Sequence, residues 1–181
     1  MRWPGWLALG LAATLCGLPP ELSAQPRLAA KQPANPPALL LPVQGITSDR
    51  LRDTFADGRD GKQRGHEAID IAAPRGTPVL AVDDGRIAKL FLSRLGGITI
   101  YQFDPSGQFA YYYAHLDRYS AGLAEGQTVR RGSVIGYVGF TGNTTPDAPH
   151  LHFAIFRLGP EKQWWKGEPI NPFPYLGGRK P

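Results

Sequence analysis

Polar and apolar positions along this chain alternate in short runs. Thr77 to Ala81, Arg86 to Phe91, Ile98 to Phe103, Phe109 to His115, Val134 to Val138 and His150 to Arg157 are rich in β-branched or aromatic residues and bounded by Gly, Pro, Asp or Ser. That is the pattern of half-buried strands. Asp83-Asp84-Gly85 and Asp104-Pro105-Ser106-Gly107 read as hairpin-type turns, each with a glycine available for positive φ. Helix is expected only in two short stretches, around Ser48 to Arg52 and Leu116 to Ala121. The expected fold is mainly β: a compact antiparallel sheet domain with short helices and long loops.

Ahead of the strands the pattern changes twice. Arg2 precedes an apolar run from Trp6 to Leu18, which Pro19, Pro20 and Glu21 break before Leu22-Ser23-Ala24. Residues 1–24 therefore read as a secretory signal cleaved after about Ala24. The run falls short of the ~20 apolar residues of a comfortable membrane span, so no span is expected after cleavage. Bulky Leu15 directly before Cys16 argues against a lipid anchor at that cysteine. Residues 25–45 carry Pro26, Pro33, Pro36, Pro37 and Pro42 and read as a semi-rigid arm. Within it, Leu39-Leu40-Leu41 is apolar enough to dock on the domain that follows. Residues 46–177 form that domain, and 178–181 a tail.

Composition narrows the class. The chain has 181 residues, of which 42% are hydrophobic and only 19% charged, which suits one ordinary domain with a real core and excludes a disordered polyelectrolyte. Its single cysteine lies in the leader, so neither a disulfide framework nor a Cys-rich zinc site is available. Arg2 and Glu21 leave together with the leader, and the net charge stays at +5. That mild excess suits an anionic polymer or surface. No Lys/Arg run is dense enough for a nucleic-acid groove, so no nucleic acid is expected as partner.

The four histidines carry the chemistry. His150-Leu151-His152 opens a strand, which puts both imidazoles on one face and Leu151 on the other. Two histidines on one strand face favour a metal or acid/base site over a structural role. His66-Glu67-Ala68-Ile69-Asp70 sets an imidazole and a carboxylate four residues apart. It begins like the helical H-E-x-x-H zinc motif, but Asp70 stands at the second His position, and Gly65, Ile69, Ile71 and Pro74 argue against helix. His115 ends the aromatic strand Tyr111-Tyr112-Tyr113-Ala114, where packing on tyrosines is the alternative reading. Two His and one Asp suit Zn²⁺ and leave a position open for water. The two remaining histidines then suit proton transfer and oxyanion stabilisation.

The chain resembles the lysostaphin/LytM-type zinc endopeptidases, also called β-lytic metallopeptidases, which cut peptide cross-links in bacterial peptidoglycan. The resemblance is carried by His66 to Asp70 with the following Ile-Ala-Ala-Pro-Arg-Gly-Thr-Pro-Val, Ala81 to Gly85, Tyr113-Ala114-His115-Leu116 and Gly126 to Gly132. It continues through Ile135 to Gly142 and His150-Leu151-His152-Phe153 to Asn171-Pro172. It implies the duplicated-hybrid-motif type of β domain, with loops flanking a groove. It implies Zn²⁺ held by His66, Asp70 and His152, with His115 and His150 flanking the reacting water as catalytic residues. Glu67, Arg64 and Tyr111 to Tyr113 are candidates for the rim, with packing the equal alternative. One departure is Ala68, where the family usually has Gly.

The partners this implies are peptidoglycan stem peptides and cross-bridges, met in the periplasm or outside the cell by a monomeric enzyme. A leader with a short proline-rich arm suits a Gram-negative periplasm, and by that analogy the D-alanyl–meso-diaminopimelate bond is favoured. Two alternatives stand beside this reading. One is a non-catalytic or latent member that binds wall peptides or activates other wall hydrolases, with the arm laid across the groove as a fourth ligand. The other is a lipoyl-like module, which Asp83-Asp84-Gly85 disfavours by lacking a lysine at the hairpin tip.

Overall fold

The computed structural model describes residues 35–59 and 64–177. The expected leader, the first part of the expected arm and the expected tail lie outside the described residues. Among the described residues, no helix is long and apolar enough to cross a membrane.

Among the described residues, eleven strands follow in chain order: β1 (Gly58–Arg59), β2 (Arg64–Gly65), β3 (Ile69–Ala72), β4 (Pro78–Leu80), β5 (Gly85–Ser93), β6 (Gly97–Phe103), β7 (Phe109–Tyr119), β8 (Thr128–Val129), β9 (Val134–Val138), β10 (His150–Leu158) and β11 (Gly167–Ile170). β1 and β2 form a separate hairpin, and the other nine join one antiparallel sheet ordered β11-β10-β7-β6-β5-β8. β3 adds to β10, and β9 pairs with both β4 and β7. Among the described residues, helical structure is limited to 3-10 turns at Ser48–Arg50 and Phe173–Tyr175.

Alternation decides which face meets the core. Phe109, Tyr111 and Tyr113 of β7, Leu151, Phe153 and Ile155 of β10, and Ile69 and Ile71 of β3 all enter one cluster with Ile87, Ile100 and Ile135. Burying each such side chain contributes about 1.5–3 kcal/mol. Gln102 and Tyr113 form a bonded polar pair inside the core: Tyr113 donates its hydroxyl to Gln102 Oε1 (2.8 Å), Val82 N–H donates to that hydroxyl (3.1 Å), and Gln102 Nε2 donates to the Asp83 carbonyl (2.8 Å). The even-numbered residues of β10 point the other way, and that face carries His150 and His152.

Two expectations need correction. Leu116 to Ala121 is not helical, because β7 runs on to Tyr119 and pairs Leu116, Arg118 and Tyr119 with β9. Asp83-Asp84-Gly85 is a bend rather than a hairpin turn, since β4 pairs with β9 and β5 with β6 and β8. The turn at Asp104 to Gly107 does join the paired strands β6 and β7. Of the arm, Leu39 is fully buried, donates its N–H to Tyr175 O (2.7 Å) and forms a bridge with Leu176. Leu40 N–H bonds Val82 O at 2.9 Å. The leucine run therefore packs as part of the domain.

Candidate metal centre

The sheet register builds the centre. His152 lies directly opposite Asp70 on β3 and opposite Ala114 on β7. Residues facing each other across antiparallel strands point to the same side, so the Asp70 carboxylate meets the His152 imidazole with Oδ1 and Nδ1 3.1 Å apart. His66 arrives from the loop between β2 and β3, its N–H bonded to Asp57 O (2.9 Å) and that of Glu67 to Phe55 O (3.0 Å). Its Nε2 lies 3.0 Å from Asp70 Oδ1 and 3.1 Å from His152 Nδ1. The segment bends at Glu67, whose φ is +55°, while Ala68 avoids the left-handed region and buries its methyl completely. The extra methyl relative to glycine is thus absorbed by the core.

The donor set fits a cation. His66 Nδ1 lies 2.8 Å from Thr54 O; a carbonyl only accepts, so Nδ1 carries the proton and Nε2 offers a lone pair. That lone pair, the carboxylate and the His152 nitrogen converge within about 3 Å of one another, an arrangement that repels unless a positive charge lies between. Tetrahedral ligands 2.0–2.1 Å from Zn²⁺ stand about 3.3 Å apart, close to these edges. His66, Asp70 and His152 form the group of donors able to hold a metal among the described residues. Without a cation between them, protons on the facing imidazole nitrogens take its place: burial pushes the Asp70 carboxyl upward, but hydrogen bonds from His152 and His66 in that charged form, and their charges, outweigh it and hold it far below the usual carboxylate range.

His115 and His150 stand beside this triangle. Their ring centroids are 4.9 Å apart, and His115 is 5.6 Å from His152. His150 Nδ1 bonds Ala148 O (2.8 Å), and His150 Nε2 sits 3.7 Å from Asp70 Oδ1. His115 Nδ1 bonds Thr141 O (2.8 Å). Burial, with His150 and His152 nearby, pushes the His115 imidazole down to about 4, although the Thr141 bond opposes the shift. His115 is therefore neutral at pH 7, with Nε2 as its free nitrogen. Its backbone has φ +59°, rare for a residue with a Cβ, and is held there by an N–H bond to Gly96 O (2.8 Å).

All four histidines line one cleft of about 520 Å³, together with Glu67, Tyr112, Asn143 and Thr144. The five expected site residues thus come together. Of the rim candidates, Glu67 and Tyr112 line the cleft, whereas Tyr111 and Tyr113 are buried in the core. Among the described residues, none of the arm lines it. The sequence reading missed the carbonyls that orient the imidazoles, those of Thr54, Thr141 and Ala148. Backbone acceptors leave no mark in residue type, though Thr141 stands in a Thr-Gly turn.

Comparison with known proteins matches this arrangement. Residues 64–172 match the model of "Peptidase family M23". The chain is 33% identical over 145 residues to the L-Ala--D-Glu endopeptidase of Bacillus subtilis, covering 77% of this chain and 42% of that protein. It is 43% identical over 108 residues to the DD-carboxypeptidase/endopeptidase Mpg of Neisseria meningitidis, covering 59% of this chain and 22% of that one. The chain thus spans less than half the length of these relatives. Among solved structures, the catalytic domain of the antimicrobial peptidase lysostaphin from Staphylococcus simulans superposes with a TM-score of 0.57 at 28% identity, over 71% of this chain and 93% of that domain. With residues 64–172 matching the family over more than half of its length, the chain belongs to peptidase family M23.

Proposed function

We propose that this chain is a zinc-dependent endopeptidase that hydrolyses peptide cross-links of bacterial peptidoglycan. The observation that carries the reading is the triangle of His66 Nε2, Asp70 Oδ1 and His152 Nδ1, with edges of 3.0–3.1 Å, facing His115 and His150 across one cleft. His66, Asp70 and His152 hold the ion, and Thr54 O fixes the tautomer of His66. A zinc ion there supplies Lewis acidity, activating water at neutral pH and polarising the scissile carbonyl. His115 and His150, each tied through Nδ1 to a carbonyl, present Nε2 to the cleft. There they take a proton from the attacking water, donate to the oxyanion once charged, and pass the proton to the leaving amine.

We favour the D-alanyl–meso-diaminopimelate bond; the Neisseria relative's name supports a DD-specificity, and the Bacillus relative's name marks the competing outcome. Residues 1–24 act as the cleaved leader, 25–45 as the arm and 46–177 as the peptidase domain of a monomer that works in the periplasm or outside the cell. Metal analysis and peptidoglycan digestion test the assignment together. His152→Ala loses the zinc, and His115→Ala keeps it but no longer cuts; full activity in either variant overturns the reading. Mass spectrometry of the released muropeptides identifies the bond. Loss of cross-linked dimers without new pentaglycine ends supports the favoured one, and products split between L-Ala and D-Glu replace it.

A further inference from the structure

Beyond the cleft, the sheet face that carries His152 is paved with aromatic rings. The Tyr112 ring stands edge-on to His152, with centroids 5.9 Å apart. Tyr101, opposite Tyr112 on β6, follows at 4.6 Å. Trp164, from the loop between β10 and β11, lies 4.8 Å beyond Tyr101 and 5.4 Å from Phe91 of β5. Trp165 is 5.2 Å from Trp164. The rings run without a break from the candidate metal centre across β7 and β6 to the sheet's far side.

The strip reaches the surface at its far end. Trp165 is 61% exposed and Phe91 40% exposed, while Tyr112, Tyr101 and Trp164 are half-buried. The apolar cluster beneath is small, built on Phe103, Ala110 and Leu158 with Ala88, Phe156 and Trp164 packed against it. Large aromatics left in water stabilise nothing in the fold, and a contiguous patch of them marks a contact surface. Its rim charges are mostly balanced. Lys89 pairs with Glu125 at 2.8 Å and Arg157 with Glu168 at 3.5 Å, Glu161 in the loop is offset by its neighbour Lys162, and Lys166 next to Trp165 leaves a surplus of one positive charge.

An aromatic strip with so little net charge suits an uncharged ligand with apolar faces and a polar rim. A pyranose ring has that form: its C–H bonds pack against the electron-rich face of an aromatic ring while hydroxyl and acetamide groups stay hydrated. An anionic membrane calls for a cluster of Lys and Arg around the patch, and one surplus lysine at the rim does not make one. A wall peptide, rich in charges, meets rings along the strip, whereas the adjoining cleft offers polar groups.

We propose that the strip from Tyr112 to Trp165 binds the amino-sugar strand of the wall polymer, lying alongside the cleft that receives the attached peptide. This rests on the wall-peptide reading above, and it makes Trp165 and Phe91 sugar-contacting residues remote from the chemistry. Calorimetric titration of the full chain with a peptide-free β-1,4-linked N-acetylglucosamine hexamer tests it. Saturable binding is expected, weakened about tenfold by Trp165→Ala or Phe91→Ser, the loss typical of an anchoring aromatic, and retained by Trp165→Phe. The measurement involves no catalysis, so a chain that cuts no peptide can still bind the sugar, and a chain that cuts peptide can still fail to. Absence of saturable binding overturns the proposal, as does equal binding by both variants. Trp165-dependent sedimentation with phosphatidylglycerol vesicles in place of sugar binding assigns the strip to a membrane instead.

Discussion

Thr141 holds His115 at both ends of the imidazole's short tether. Its carbonyl takes the Nδ1 proton at 2.8 Å, while its hydroxyl donates to Leu116 O (2.7 Å) and accepts from Ile98 N–H (2.9 Å). The loop that delivers the carbonyl is thereby pinned to the strands on either side of the histidine. Thr141→Val keeps the shape and removes the hydroxyl, leaving Ile98 N–H and Leu116 O to find other partners. Turnover is expected to fall about 10–100-fold, the range found when groups that orient active-site imidazoles are removed. Zinc content measured on the same preparation should not change.

Gly97 and Gly142 let that loop come so close. Both have positive φ, and a Cβ on Gly97 would overlap Thr141 while one on Gly142 would overlap the Leu95 carbonyl. Gly142→Ala therefore combines backbone strain with a clash and is expected to cost about 2–4 kcal/mol. Urea unfolding checks the figure; a cost within a few tenths of zero contradicts the tight packing.

Metal binding to the folded chain should stabilise it. At 1,000 times its dissociation constant, zinc adds about 4 kcal/mol, visible as a rise in Tm that a chelator reverses. Asp70→Asn takes away the only anionic donor of the triangle and should abolish the rise. A zinc-induced shift that survives in Asp70→Asn moves the site elsewhere.

Alkaline pH tests the core. Burial raises the phenols of Tyr111 and Tyr113 above the ordinary 10.0. Both are neutral in the two states below that value, so their contribution is fully present there. Above it the unfolded chain gives up protons that the folded chain keeps, and stability drops by about 1.4 kcal/mol per tyrosine per pH unit. Unfolding midpoints that stay flat well past pH 10, with tyrosinate absorbance rising in the native state, would show that the two rings reach solvent.

Leu39→Ala probes the arm. The side chain is fully buried in the main core, so truncation should cost about 2–5 kcal/mol. A surface linker would lose next to nothing.

Much of this was legible in the residues, and the misreadings have physical causes. The six strands from Thr77 to Arg157 announce themselves because one face is buried and side chains alternate. β7 obscures its own second half. Up to Tyr113 the odd-numbered residues enter the core, but the positive φ at His115 shifts the phase, and even-numbered Leu116 packs inward. With the period broken, Leu116-Asp117-Arg118-Tyr119 no longer reads as strand. β3 passes unannounced because it is four residues long and its second face serves the metal centre. The five polar site residues were visible because histidines are few; the backbone acceptors that orient them follow from tertiary structure alone.

His66 and His152 are 86 positions apart, and Asp70 and His152 are 82 apart. Their donor atoms meet only through the β3–β10 pairing, a contact that forms after a long loop has closed. A chain half-opened by heat has no triangle to load. Metal uptake is therefore a readout of completed folding, and bound metal certifies that both ends of the domain have arrived.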